Sequence, residues 1–204
     1  SWAAPRRLSS PGYARRVIRI AVIYGGQSTE HSISCISAGA IIAELPKDTY
    51  EVYPVGITRD GTWVEGSLDP VGGAALPEVA PGRAIRLSTA PSTRGTFTDA
   101  ATGEAVAEVD VIFPVLHGKY GEDGTIQGMF ELSGIPYVGP GVLASACGMD
   151  KEYTKKLVAA EGIPVARCVI VREPGAAVSE ADKQRLGLPV FVKPANGGSS
   201  IGVS

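Results

Sequence analysis

The sequence predicts an α/β protein with a parallel sheet, followed by a second, smaller unit. Three observations predict it. Residues 17–24, VIRIAVIY, form a nearly continuous apolar run of the kind found in strands covered on both faces. Gly25 and Gly26 end that run, and apolar residues then recur at Ile33, Ile36, Ala40, Ile41 and Leu45, a helical spacing that stops at Pro46. A second strand-like run, residues 51–57, follows directly, and a right-handed crossover makes it parallel to the first.

Bulk properties narrow the function. The chain has 204 residues, 44% of them hydrophobic, which is enough to bury a core. Its formal charge of -2, from 19 basic and 21 acidic side chains, gives no general pull toward nucleic acid or an anionic membrane. Any phosphate it binds must therefore be held by a local site. Mostly apolar stretches such as residues 141–149 fall far short of the roughly 20 residues that span a bilayer. Cys35, Cys147 and Cys168 show no CxxC spacing and sit in apolar patterns, as buried thiols do in a reducing compartment. A cytoplasmic protein is expected.

Residues 1–17 hold Arg6, Arg7, Arg15 and Arg16 and no acid, and read as a tag or natural extension. After the first βαβ unit, residues 58–102 are poorer in signal. Trp63 and Val64 are expected in a short strand, and residues 83–88 are expected to pair with 96–98 as a hairpin. Residues 69–95, rich in Gly, Pro and Ser, read as a long loop or insertion with no chemistry of its own. Residues 109–116 form another buried-type strand, after which Asp123 can cap a helix that finishes at Gly134. A short strand over 135–138 precedes the Gly139-Pro140-Gly141 break. The domain boundary is placed there, giving a first domain over 18–141 and a second unit over 142–204. That second unit should contain a helix over 142–148, one capped by Asp150 and ended by Gly162, a strand over 165–172, and a helix begun by Ser179 with Asp182 three residues on. A last apolar strand from Val190 runs into Lys193 and a loop of Gly197, Gly198, Ser199, Ser200 and Gly202.

Three sets of residues could carry chemistry. Glu30 lies at the mouth of a strand-helix junction, at the carboxyl end of the sheet where α/β ligands bind, and its carboxylate could hold a substrate ammonium. A first-turn acid that merely complements the helix dipole is the alternative. His117 ends the next buried strand and suits a polar hydrogen bonder to substrate. With only two histidines in the chain and no HxxxH spacing, Glu122 and Asp123 beside it do not suggest a metal site. Lys151, Lys193 and the Gly/Ser loop offer two point cations and free backbone N–H groups, a combination that favours ATP. Taken singly, the loop is a flexible surface turn and each lysine a solvated one. No GxGxxG, GxSxG or patterned Cys/His pair is present.

The blocks GGQSTEHSIS at 25–34, LHGKYGEDGTIQG at 116–128, MDK at 149–151 and VKPANGGSSIG at 192–202, in this order, resemble D-alanine-D-alanine ligases of the ATP-grasp superfamily. The likeness covers 18–204, with 69–95 expected to lie outside it. It implies a Rossmann-like pre-ATP-grasp domain followed by the beginning of an α+β ATP-grasp central domain. It also implies joining of two D-alanine molecules through an acyl phosphate for peptidoglycan precursors, with a D-alanine-D-lactate ligase or a non-catalytic nucleotide-binding module as alternatives. By the same resemblance Glu30 binds the first ammonium, and Ser199 belongs to the groups that orient Glu30. Ile33 contacts the substrate methyl and His117 lies near its carboxylate. Lys151, Lys193, Gly197, Gly198, Ser199 and Ser200 bind ATP. Mg²⁺ ligands and an oxyanion arginine are expected beyond Ser204, the 204 residues alone are expected to be inactive, and a homodimer is expected.

Overall fold

A computed structural model describes residues 16–71, 73, 76–173 and 175–204. Most of the extension expected over 1–17 lies outside the described residues.

The first helical and strand elements follow the sequence pattern closely. β1 (Ile18–Gly25) leads through α1 (His31–Glu44) to β2 (Tyr50–Ile57), and the two strands pair in parallel from Ile18 opposite Tyr50 to Gly25 opposite Ile57. β3 (Trp63–Glu65) adds an antiparallel edge on β2. Next come β4 (Ile85–Leu87), β5 (Thr96–Asp99) and β6 (Ala105–Glu108), which make a separate antiparallel sheet in the order β4-β5-β6. The hairpin between 83–88 and 96–98 is thus present; β6 is an additional strand that the sequence did not announce. β7 (Val111–Pro114) returns to the first sheet, parallel to β1 on the side away from β2, so that the sheet order is β3-β2-β1-β7.

This order determines where a ligand can sit. The chain leaves β1 toward β2 on one side, while β7 flanks β1 on the other. The loops after β1 and β7 therefore diverge across a crevice at the carboxyl ends of the parallel strands, the switch point where open α/β sheets bind ligands.

α1 covers the sheet through Ser34, Cys35, Ala38 and Ile42, all buried. The apolar face read from the sequence is rotated away: Ile33 is 51% exposed and Ile36 42%. Small residues win the sheet-facing side because they let the helix sit close to a flat, fully covered strand, and the larger isoleucines are displaced to the open side. Of the three cysteines only Cys35 is fully buried, and that burial pushes its thiol up to about 11; Cys147 and Cys168 are half-buried.

Both apolar clusters are drawn from the first 137 residues, one around Ile23, Val55, Phe97, Ile112 and Phe130, the other around Val22, Tyr24, Cys35 and Val115. α2 (Thr125–Ser133) closes the first cluster with Ile126 and Phe130, and Gly134 ends it at φ 65. Asp123 sits one residue ahead of the N-cap Gly124, and its carboxylate accepts from the backbone N–H groups of Tyr120 and Thr125. The strand expected over 135–138 reduces to a single parallel bridge between Ile112 and Tyr137.

α3 (Val142–Met149), α4 (Lys151–Ala160) and α5 (Glu180–Leu186) follow. Asp150 caps α4 by accepting from the N–H groups of Glu152 and Tyr153, and Ser179 caps α5 by accepting from Asp182. The strands expected over 165–172 and from Val190 do not form. An apolar run becomes a strand only when neighbours complete its ladder, and Val190, Phe191 and Val192 stay exposed, Phe191 by 80%. What remains is one pair of mutual backbone bonds between Val192 and Ser204, at 2.8 and 3.0 Å, and a bridge from Asp150 to Asn196. Among the described residues no helix is long and apolar enough to cross a membrane.

Candidate active site

The loop after β1 is held at both ends. Gly26, at φ 94, donates its N–H to the Ile57 carbonyl at 2.8 Å, and the Nδ1 atom of His31 meets the Gly26 carbonyl at 2.8 Å. Ser28 Oγ accepts from the N–H of Glu30 at 3.1 Å. Glu30 itself is the N-cap of α1, and its carbonyl receives the N–H of Ser34 at 2.9 Å. Ser34 pins the helix beneath: its buried hydroxyl accepts from Gly25 N–H at 2.8 Å and donates to the Val115 carbonyl, joining the ends of β1 and β7.

Across the crevice, the loop after β7 is wired by its own acids. Glu122 accepts from the N–H of Gly118 at 2.7 Å, and Asp123 accepts from Tyr120 at 2.9 Å. Burial pushes the Asp123 carboxyl up, but the N–H groups of Tyr120 and Thr125, with the Thr125 side chain, more than offset it and hold the group below the ordinary carboxylate range. Gly118, at φ 72, needs to be glycine: a Cβ there would stand 3.1 Å from Glu30 Oε2 and 3.5 Å from Ser28 Cβ. The Glu30 carboxylate thus reaches across the switch point to the β7 loop.

Its other oxygen faces the terminal loop. Ser199 Oγ donates to Glu30 Oε1, a contact bridging 169 positions in the sequence. Ser199 and Ser200 both hold left-handed backbone, φ 50 and 58, which non-glycine residues adopt sparingly and which recurs at functional sites. Lys151 ties the same loop to the start of α4 by donating from Nζ to the Gly197 carbonyl at 2.7 Å and from its N–H to the Ala195 carbonyl at 2.9 Å. Gly198 lies against Glu30, with Oε2 3.9 Å from the place its Cβ would take. Lys193 Nζ stands 5.5 Å from the Phe191 ring centroid, so Lys151 is drawn to the loop's backbone while Lys193 lies over a ring two residues before it.

His117 is half-buried at the end of β7, with Nε2 3.4 Å from Ser37 Oγ on α1. It lines a cavity of about 210 Å³ with Gly26, Gln27, Trp63, Lys119 and Met129. Ile33 is on the open side of α1. Glu30, Ser199, Gly198 and Lys151 therefore form one connected group, His117 borders it through the β7 loop, and Lys193 and Ser200 lie on the segment that carries the loop. Among the described residues no three His, Cys, Asp or Glu side chains gather to hold a metal ion.

The chain was compared with known proteins. A family model described as D-ala D-ala ligase N-terminus matches residues 19–140, and one described as D-ala D-ala ligase C-terminus matches residues 157–204. The chain belongs to the D-Ala-D-Ala ligase family. The first match runs through 69–95, so the segment expected to lie outside the family pattern falls within it. A D-alanine--D-alanine ligase of Corynebacterium diphtheriae is 60% identical over 193 residues, covering 92% of this chain and 52% of that protein. The chain spans about half the length of the curated relatives it matches. Among solved ligase structures, the VanG D-Ala:D-Ser ligase of Enterococcus faecalis superposes with a TM-score of 0.75 at 36% identity, over 93% of this chain and 55% of that one. A D-alanine--D-alanine ligase of Bacillus anthracis complexed with ATP superposes with a TM-score of 0.59 at 30% identity, over 89% of this chain and 48% of that one.

Sequence reasoning singled out Glu30 and Ser199, which the structure brings into contact, but not Ser34, Gly118 or His31, which hold the surrounding loops. A signal for Ser34 was present: a polar residue on the helix side that meets an apolar sheet must be hydrogen-bonded there.

Proposed function

We propose that the protein carrying this chain joins two D-alanine molecules with ATP, taken up with Mg²⁺, to give D-alanyl-D-alanine for peptidoglycan precursors. The first D-alanine carboxylate attacks the γ-phosphorus, ADP leaves, and the second amine attacks the acyl phosphate and expels phosphate. Glu30 holds the first ammonium, His117 borders its carboxylate and Ile33 its methyl. Lys151, Lys193, Gly197, Gly198, Ser199 and Ser200 serve the ATP phosphates, and closure of their loop keeps water from the acyl phosphate. The division into residues 18–141 and 142–204, a cytoplasmic location and a homodimer belong to the same proposal. Among the described residues no ligand set for the metal gathers.

One observation carries the reading: Ser199, in a loop suited to phosphate, hydrogen-bonds the carboxylate at the switch point. A group that grips the ammonium is thereby linked to the loop that holds the phosphate donor, as transfer between the two requires. The second substrate is a separate matter, since a relative with D-Ser in its name shares the fold over 93% of this chain. The test is product analysis of the protein with ATP, Mg²⁺ and D-alanine, alone and with D-lactate or D-serine added. D-alanyl-D-alanine formed in step with ADP is the expected result. Depsipeptide as the main product would move the reading to a D-alanine-D-lactate ligase, and no D-alanine-dependent ADP would overturn it.

A further inference from the structure

Immediately after Glu30 lies His31, completely buried at 0% exposure although its side chain is polar. Both ring nitrogens are used, each by a backbone group of a different segment. The Gly26 carbonyl, 2.8 Å from Nδ1, can only accept, and the Val79 N–H, 3.0 Å from Nε2, can only donate. The pair allows one neutral tautomer, with the proton on Nδ1. The first bond closes the loop after β1 into a ring running from Gly26 to His31, with Glu30 at its exit. The second ties that ring to a strap that crosses the carboxyl ends of β1 and β2.

The strap is fitted to its bed. Val79 packs where two glycines make room: a Cβ on Gly25 would come within 2.7 Å of Val79 Cγ2, and one on Gly56 within 2.5 Å of Val79 Cγ1. Next to it Glu78 accepts from Arg59 Nε at 2.7 Å, anchoring the strap to the end of β2. A fully buried neutral imidazole needs a partner for each nitrogen, and here the two partners belong to different segments. The ring therefore joins loop and strap at the residue next to Glu30.

We propose that His31 is a positioning residue for Glu30, acting through the Gly26 carbonyl to set where the carboxylate meets the substrate ammonium, with the Val79 strap holding the ring of His31 in register. This rests on the ligase reading. Its specific content is that loss of the ring affects the amino-acid substrate more than the nucleotide, because the phosphate loop, although it meets Glu30 through Ser199, is also held by Lys151, independently of His31.

The experiment is steady-state kinetics of the protein carrying this chain and of its H31N, H31Q and H31A forms, at a temperature where circular dichroism shows equal folded fractions. Asn can offer an N–H near the Nδ1 place and keep the Gly26 bond; Gln can offer an acceptor near the Nε2 place and keep only the Val79 bond. H31N is expected to leave the KM for the first D-alanine within about 3-fold of the parent, while H31Q raises it by about 10-fold or more, since displacement of a binding group by less than 1 Å has effects of this order. KM for ATP should rise by a smaller factor than KM for D-alanine in H31Q, since Lys151 holds the phosphate loop independently of His31. If H31A fails to fold, the H31N and H31Q pair still decides. Equal D-alanine KM in H31N and H31Q, or KM values for D-alanine and ATP rising by the same factor, would overturn the inference alone. A parent protein that makes no ADP in response to D-alanine would overturn the ligase reading, and this inference with it.

Discussion

At the residue scale, the switch-point carboxylate is defined by what is placed on each oxygen: a serine hydroxyl on Oε1 and a bare glycine beneath Oε2. Removing the hydroxyl in S199A unlinks the carboxylate from the terminal loop without touching a buried group, so turnover should fall by roughly 10-fold or more while stability stays within about 0.5 kcal/mol. Assays of turnover beside thermal melts check this. Ser34 behaves oppositely. S34A leaves the Gly25 N–H and the Val115 carbonyl buried and unmet, each worth about 1–3 kcal/mol, so a fall of about 2 kcal/mol or more in urea unfolding is expected. Glu30 was legible in the sequence because a motif and a strand-helix junction coincide there. Gly118 was not, because what requires glycine is the passage of a side chain 88 positions earlier, and no local pattern encodes that approach.

At the scale of elements, the first unit was legible where periodicity and topology agree. β1, β2 and β7 are apolar runs in the middle of a sheet, where both faces are covered and the pattern is strong. α1 was legible in extent but not in orientation, since the side that meets the sheet carries Ser34, Cys35 and Ala38 and not the larger isoleucines. After residue 160 the sequence pattern asked for strands that find no ladder, so apolar content there reports a need for neighbours and not a formed element. α4 depends on a local signal that did hold: the Asp150 side chain accepts two first-turn N–H groups. D150A should cost about 1 kcal/mol and loosen the α4 start that carries Lys151, detectable as faster hydrogen exchange at Lys151 to Thr154.

At the scale of the whole molecule, two clusters of buried apolar residues support a crevice, and charge shapes how that support responds to acid. Arg83, donating to Asp99 at 2.8 Å, and then the N–H groups of Thr102 and Ala101 hold the Asp99 carboxyl at about 2. A folded value below the unfolded one of about 3.9 gives a contribution to stability that is present above pH ~4 and lost as pH falls toward 2. The melting temperature should therefore drop over that window, and D99N should flatten the drop without changing the neutral-pH active site. Whether the switch-point carboxylate grips the amino-acid ammonium is decided by D-alanine-dependent ADP formation in E30Q, which keeps the shape and removes the charge. A fall of about 100-fold or more in kcat/KM for the first D-alanine is expected, as when one partner of a desolvated charge pair is lost, with thermal stability within about 1 kcal/mol of the parent. Parent-like turnover in E30Q together with a large loss of stability would contradict it, and would leave Glu30 as a helix-capping acid and no more.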